Sequence, residues 1–221
     1  MATSPLSITG ANATIPAPIG GLNTRDSVDL LPPTDAIRLD NFFPARSHVQ
    51  VRNGYDDHAT GLPSTVESLM IYNSGTANTM FAASGSAVYD ATSSGAIGSA
   101  VITSLTNAQF QWTNITTAGG AFLWICNGAD APRHWNGSAW ATPTLSGVTA
   151  ANIVNVTLFK ERLFFVFNNS LTFGFLPVNA VAGTVAEFDL GSVFGHGGQL
   201  QAIGTWTRDG GAGPEDNALF W

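Results

Sequence analysis

The sequence predicts an all-β fold assembled from propeller-like blades of about 40–45 residues each. Three observations predict it. Apolar residues fall into short runs bounded by Gly, Asn, Ser and Asp, the pattern of strands and turns. Strong helical periodicity is nearly absent after the opening segment. The runs also recur: Phe81 to Trp124 is 43 residues, Trp124 to Phe165 is 41, Ile71 to Trp112 is 41 and Trp112 to Val154 is 42.

Residues 1–19, rich in Ala, Thr, Pro and Ser, read as a flexible or extended arm. They lack the basic start and continuous apolar core of a signal peptide. Residues 20–61 read as a capping or anchor segment. Gly20-Gly21 permits a sharp turn. Leu22, Val28, Leu30 and Leu31 supply an apolar face. Pro32-Pro33 fixes an extended stretch. Thr34 then fits the N-cap of one short helix, "DAIRLDN" (35–41), with Ile37 and the Phe42-Phe43 pair packing on the core. "SHVQVRNGY" (47–55) alternates as a strand closed by an Asn-Gly turn. Arg25, Arg38, Arg46 and Arg52 stand near Asp26, Asp29, Asp35 and Asp40, which implies surface ion pairs of small individual value.

Residues 62–221 carry the blades. "SLMIY" is followed by "NTMFAASGSAVYDATSSG", "QFQWTNI" by "AFLWICNGADAPRHWNGSAWATP", "NIVNVTLFKE" by "RLFFVFNNSLTFGFLPV", and "QLQAIGTW" by "NALFW". Each unit opens on an apolar strand. A more apolar strand follows, then a third carrying Tyr89, Trp135 or Phe173. The second strand is the most apolar because both its faces are covered when blades stack. A β-sandwich accounts for the turn spacing but not for the repeat. The chain stops at Trp221 inside the fourth repeat, so the expected propeller is incomplete. A longer polypeptide or another chain would complete the sheet.

Composition narrows the function. Charged residues make up 10% of the 221 residues and the net charge is −7, with Lys160 the single lysine. Nucleic-acid grip needs clustered Lys and Arg, so tight DNA or RNA binding is not expected. A passage that DNA slides through without sticking is compatible with such a wall. Cys126 has no partner for an intrachain disulfide and reads as a buried small hydrophobe. No run reaches the length of a transmembrane helix.

The chemistry-bearing residues do not converge. His48, His58, His134 and His196 lie far apart and outside any zinc motif. "YDDHATG" (55–61) reads as a solvated loop. "RDGGAGPED" (208–216) lacks the calcium-loop register and reads as a long hairpin loop. "GHGGQ" (195–199) fits no phosphate-binding pattern. Sequons at Asn12, Asn114, Asn136, Asn155 and Asn168 are attributed to chance. No catalytic residue, metal site or cofactor is expected, and the chain is read as a non-enzyme.

The segment "GGLNTRDSVDLLPPTDAIRLDNFFP…VRNGY" resembles the N-terminal signature of tail-nozzle, or packaged-DNA stabilisation, proteins of short-tailed bacteriophages. Gly20, Gly21, Leu22, Asn23, Pro33, Ala36, Leu39, Asp40, Asn41, Phe43, Pro44, Arg52 and Gly54 carry the match. The blades agree in pattern only. The resemblance implies a virion subunit in a six-fold ring below the portal and adaptor rings. Its partners would be those proteins, other tail proteins or fibres, and genomic DNA in transit. Assembly would occur in host cytoplasm. Such proteins are much longer than this chain. The expected assembly interface is Gly20, Gly21, Leu22, Asn23, Leu30, Leu31, Pro33, Leu39, Asp40, Asn41, Phe42, Phe43 and Pro44. A carbohydrate-binding propeller or receptor adhesin, stacking sugars on Trp135, Trp140 and Trp206, is the alternative. A propeller hydrolase ranks last, because no carboxylates recur in repeat register.

Overall fold

The computed structural model describes residues 14–209 and 214–221. The chain is all-β; among these residues the only helical turns are 3-10 turns at Val28–Leu30 and Ala150–Asn152. It divides into two units, one ending at Asp56 and one beginning at Asp57. Most of the expected arm, residues 1–13, lies outside the described residues.

The first unit holds four short strands. β1 (Gly21–Leu22) pairs in parallel with β2 (Asp35–Ala36), and β3 (Phe42–Pro44) pairs antiparallel with β4 (Val49–Val51). The helix expected over 35–41 does not form. Two residues of that stretch are strand β2, and the flanking backbone is committed to the same pairing. Gly20 N–H donates to the Thr34 carbonyl at 2.8 Å and Asn23 N–H to the Ala36 carbonyl at 2.8 Å. A seven-residue stretch has little helical stability of its own, so this pairing wins. Ile37, Phe42 and Phe43 are exposed instead of packing on a core. Asn53-Gly54 makes no hairpin turn; the reversal that exists joins β3 to β4, with Ala45 N–H donating to the His48 carbonyl at 2.8 Å.

The second unit stacks blade-like sheets. β5 (Ala59–Thr60) precedes the first, which comprises β6 (Val66–Asn73), β7 (Asn78–Ser84) and β8 (Ala87–Asp90); β9 (Gly95–Ala96) then pairs in parallel with β5. The second sheet is a four-strand antiparallel meander: β10 (Gln111–Thr117), β11 (Gly120–Cys126), β12 (Arg133–Trp135) and β13 (Trp140–Ala141). β14 (Leu145–Ser146) leads into the third sheet, of β15 (Ile153–Phe159), β16 (Arg162–Phe167), β17 (Thr172–Phe175) and β19 (Ala186–Asp189). β18 (Gly183–Thr184) returns to pair with β14. β20 (Ile203–Asp209) and β21 (Pro214–Phe220) form a hairpin whose connection lies outside the described residues.

Strand alternation explains why each second strand is apolar throughout. On β11, Leu123 and Ile125 face the first sheet, where Met70, Phe81, Ala83 and Val88 meet them. Trp124 and Cys126, one residue out of phase, face Phe165 and Phe167 of the third sheet. On β16, Val166 turns the opposite way, toward Phe173, Leu200 and Ile203 beside the hairpin. Both faces are buried, so period-2 polarity disappears.

Polar clasps tie the first strands of successive sheets together. Asn114 on β10 donates Nδ2–H to the Ile71 carbonyl at 2.8 Å and accepts from Asn73 N–H at 3.1 Å. Thr157 on β15 donates to the Ile203 carbonyl at 2.6 Å. The sequon asparagine at 114 is thus a cross-sheet clasp.

Two turns give measurable predictions. Lys160 (φ 47°) and Glu161 (φ 59°) both adopt left-handed backbone in the β15–β16 hairpin, a geometry that favours Asn-Gly. Glu161→Gly is expected to raise stability by about 1 kcal/mol, read as a higher urea midpoint with unchanged slope. Asp130 clasps two loops: it accepts from Thr106 Oγ1 at 2.7 Å, Thr106 N–H at 2.8 Å and Asn127 Nδ2 at 2.7 Å. Burial raises its pKa, but the bonds from Asn127 and Thr106 outweigh burial and hold it below 3.8. A depressed folded pKa contributes stability that is full above the unfolded value and is lost as pH falls through the folded one. The Tm difference between wild type and Asp130→Asn is therefore expected to be constant above about pH 5 and to shrink at more acidic pH.

Candidate assembly interface

The opening unit is a scaffold of hydrogen bonds without a core. Among its described residues, 14–56, only Gly21 is buried. Gly21 takes φ 92°, and a Cβ there would lie 3.5 Å from the Pro44 ring, which places β1 against β3. At Gly20 a side chain would meet the Asp35 carboxylate and oblige it to move.

Asn23 is the hub. Its Nδ2 donates to Asp26 and to Asp35, each at 2.9 Å, and its Oδ1 accepts from the backbone N–H groups of Arg25 and Asp26, each at 3.2 Å. The Asn23 amide, followed by the Arg25 guanidinium, holds the Asp26 carboxyl below its ordinary range. Asp26 and Asp35 were not singled out from sequence as interface residues; the Asn23–Asp26 spacing was the available sign, since Asn side chains bond backbone a few residues on. Of the four expected ion pairs, Arg25–Asp26 and Arg38–Asp40 form.

The other expected interface residues sit on the surface of this scaffold. Leu30 ends the 3-10 turn and is 78% exposed; Leu31 follows it half-buried. Pro33 is exposed within the turn in which Asp35 N–H donates to the Pro32 carbonyl at 2.9 Å. Leu39 is half-buried and Asp40 exposed. Asn41 takes φ 62°, and its carbonyl accepts from Arg52 N–H at 2.7 Å, which sets the start of β3. Phe42 stands opposite Val51, Phe43 opposite Gln50 and Pro44 opposite Val49. Neighbouring positions on a strand point to opposite faces, so Phe42 and Phe43 project from both sides of the β3–β4 ribbon. Leu22, Phe42 and Phe43 are all exposed, as are Val28, Ile37 and Val51. The structure thus brings Gly20–Asn23 to Asp35–Ala36 and Asn41–Pro44 to Val49–Arg52, and leaves their large apolar side chains uncovered.

The three tryptophans of the alternative, glycan-binding reading are not side by side on one face. Trp135 and Trp140 are half-buried against Phe81, with ring centroids 5.3 and 4.9 Å away, and fill the gap between the first two sheets. Trp206 stands apart on the hairpin. His58 Nε2 lies 2.9 Å from the Ala91 carbonyl, a tie within the blades. Cys126 is buried and its thiol pKa is pushed far up by desolvation, so it is inert. Among the described residues no group of three or more His, Cys, Asp or Glu side chains is placed to hold a metal ion. No helix among them is long and apolar enough to cross a membrane.

No protein-family model, curated protein or solved structure matches this chain.

Proposed function

We propose that the chain is a virion structural subunit of a bacteriophage tail nozzle or tail tube. It attaches below the portal and adaptor rings in a six-fold ring and lines a channel for DNA retention and ejection. The observation that carries this reading is the opening unit itself. Its backbone is fixed by specific hydrogen bonds, yet Leu22, Val28, Leu30, Ile37, Phe42 and Phe43 are presented to solvent. Apolar side chains held outward on an ordered scaffold mark a docking surface. Leu22 and Phe43 among them also carry the resemblance to the nozzle family.

Two further features agree. The blades expose few charges, which suits a subunit that buries surface against neighbours. The net charge of −7 repels DNA, so a wall of this composition favours sliding over adhesion. The glycan-binding reading loses Trp135 and Trp140, which pack between sheets. Light scattering of the purified chain, whose mass is 23.1 kDa, tests the reading. A closed oligomer with six times that mass is expected; a chain that stays monomeric at every concentration sampled contradicts it.

A further inference from the structure

We propose that Asn53 is a self-modification site. Its side-chain amide closes on the Gly54 nitrogen, loses ammonia, and opens in water to aspartate or isoaspartate. The chemistry does not depend on assembly into a ring.

The sequence holds three Asn-Gly pairs, at 53–54, 127–128 and 136–137. Glycine has no Cβ, so it leaves the attacking backbone nitrogen unhindered at all three. What ranks them is how each asparagine is held, because the amide carbon must swing onto the next backbone nitrogen.

Two of the three are locked. Asn127 Oδ1 accepts from Ala129 N–H at 3.2 Å and Asp130 N–H at 2.8 Å, and its Nδ2 donates to the Asn107 carbonyl at 3.1 Å and the Asp130 carboxylate at 2.7 Å. Gly128 backs onto Val154, whose side chain lies 2.7 Å from where a Cβ would stand. Asn136 Oδ1 accepts from Ser138 N–H and Ser138 Oγ, each at 2.9 Å, and from Ala139 N–H at 2.8 Å. Gly137 sits at φ 93° against the Tyr72 hydroxyl. Both asparagines thus aim the amide oxygen at backbone two and three residues on, which holds the amide carbon away from the adjacent nitrogen.

Asn53 has no such restraint. The last backbone tie before it is Arg52 N–H to the Asn41 carbonyl at 2.7 Å, and the next after it is Gly95 N–H to the His58 carbonyl at 2.9 Å. Between them, residues 53–57 belong to no strand and make no hydrogen bond with the described residues. A Cβ at Gly54 would meet nothing within 4 Å. The stretch also contains the sequence boundary between the two units, after Asp56.

In the first step the Gly54 nitrogen gives up its proton and bonds to the Asn53 side-chain carbon. The bond from that carbon to the amide nitrogen breaks, and ammonia leaves with the proton. Water then adds to either ring carbonyl and splits its bond to the ring nitrogen. Opening at the main-chain carbonyl gives isoaspartate; opening at the side-chain carbonyl gives aspartate. Overall an amide and a water become a carboxylic acid and ammonia, without oxidant or reductant. The acid ionises at neutral pH, which adds a negative charge close in sequence to Asp56 and Asp57. The isoaspartate form also inserts a further carbon into the main chain of the linking stretch.

The test holds the purified chain at mildly alkaline pH and then cuts it after aromatic residues. Cuts at Tyr55, Trp124 and Trp135 place the three pairs on separate peptides. Mass spectrometry reads the exchange of amide for acid, and labelling by an isoaspartyl methyltransferase reads isoaspartate. Each hydrogen bond that must open costs about 1 kcal/mol, so Asn53 is expected to convert at least about 10-fold faster than Asn127 or Asn136. The rate should rise with pH, because the attacking nitrogen must lose a proton. In urea strong enough to unfold the chain, the three rates should converge. Gly54→Val, at an open position, is expected to remove most of the conversion by crowding the attacking nitrogen, with Tm unchanged. An Asn53 that remains an amide overturns the proposal, as do equal rates at the three pairs in the folded chain. A ranking that urea leaves unaltered, or a Gly54→Val chain that converts as fast as wild type, overturns it as well.

Discussion

Trp124→Ala is expected to destabilise the blades by about 3–5 kcal/mol, a large share of the roughly 5–15 kcal/mol that holds a domain folded. Trp124 has no exposed surface and sits at the centre of β11. Its ring packs 4.9 Å from that of Phe165, and its Nε1–H donates to the Val181 carbonyl at 3.2 Å. Truncation removes the largest fully buried side chain among the described residues, opens a cavity between the second and third sheets, and leaves a carbonyl without its donor. Trp124→Phe keeps most of the volume and is expected to cost less than half as much. Trp206→Ala, at an exposed site, should stay within about 0.5 kcal/mol in the dissociated chain. Urea unfolding followed by circular dichroism reads all three. Equal losses at positions 124 and 206 would mean that the sheets do not stack as described.

Replacing Phe42 and Phe43 together with Ser is expected to abolish assembly while leaving the blades folded. Both rings are already in water in the single chain, so removing them deletes no core contact. In an interface, buried aromatic anchors are worth about 2 kcal/mol or more each, so the double variant should weaken association on the order of 100- to 1,000-fold. Thermal melting separates the two effects: an unchanged Tm with lost assembly identifies an interface. A Tm drop comparable to that of Trp124→Ala would assign the pair to the fold instead.

The second and third strands of the blades were legible because burial on both faces leaves its mark on composition. Phe81, Trp124 and Phe165 all lie on second strands, β7, β11 and β16, and Tyr89, Trp135 and Phe173 on third strands; Phe81 and Trp124 face the following sheet, whereas Phe165 faces the preceding one and Val166 takes the forward place. The first strands were less legible. The spacing of Ile71, Trp112 and Val154 follows the most conspicuous apolar residues, whereas Met70, Thr113 and Val156 stand opposite Phe81, Trp124 and Phe165. Irregularities between Val66 and Ser68 and between Ile153 and Asn155 shift the register, and a shift of one residue exchanges faces. The opening unit was legible as a set of special residues but not as a conformation. Thr34-Asp35 reads locally as a helix start, and only the distant Gly20–Asn23 backbone, pairing in parallel, makes it a strand.

Electron-microscope class averaging of the native particle or complex containing this chain tests the central claim most directly. The account predicts a six-fold ring on the portal axis with blade-sized lobes and with residues 20–44 in a contact between subunits or with the ring above. A monomer, or a trimer at the tip of a fibre, would contradict it.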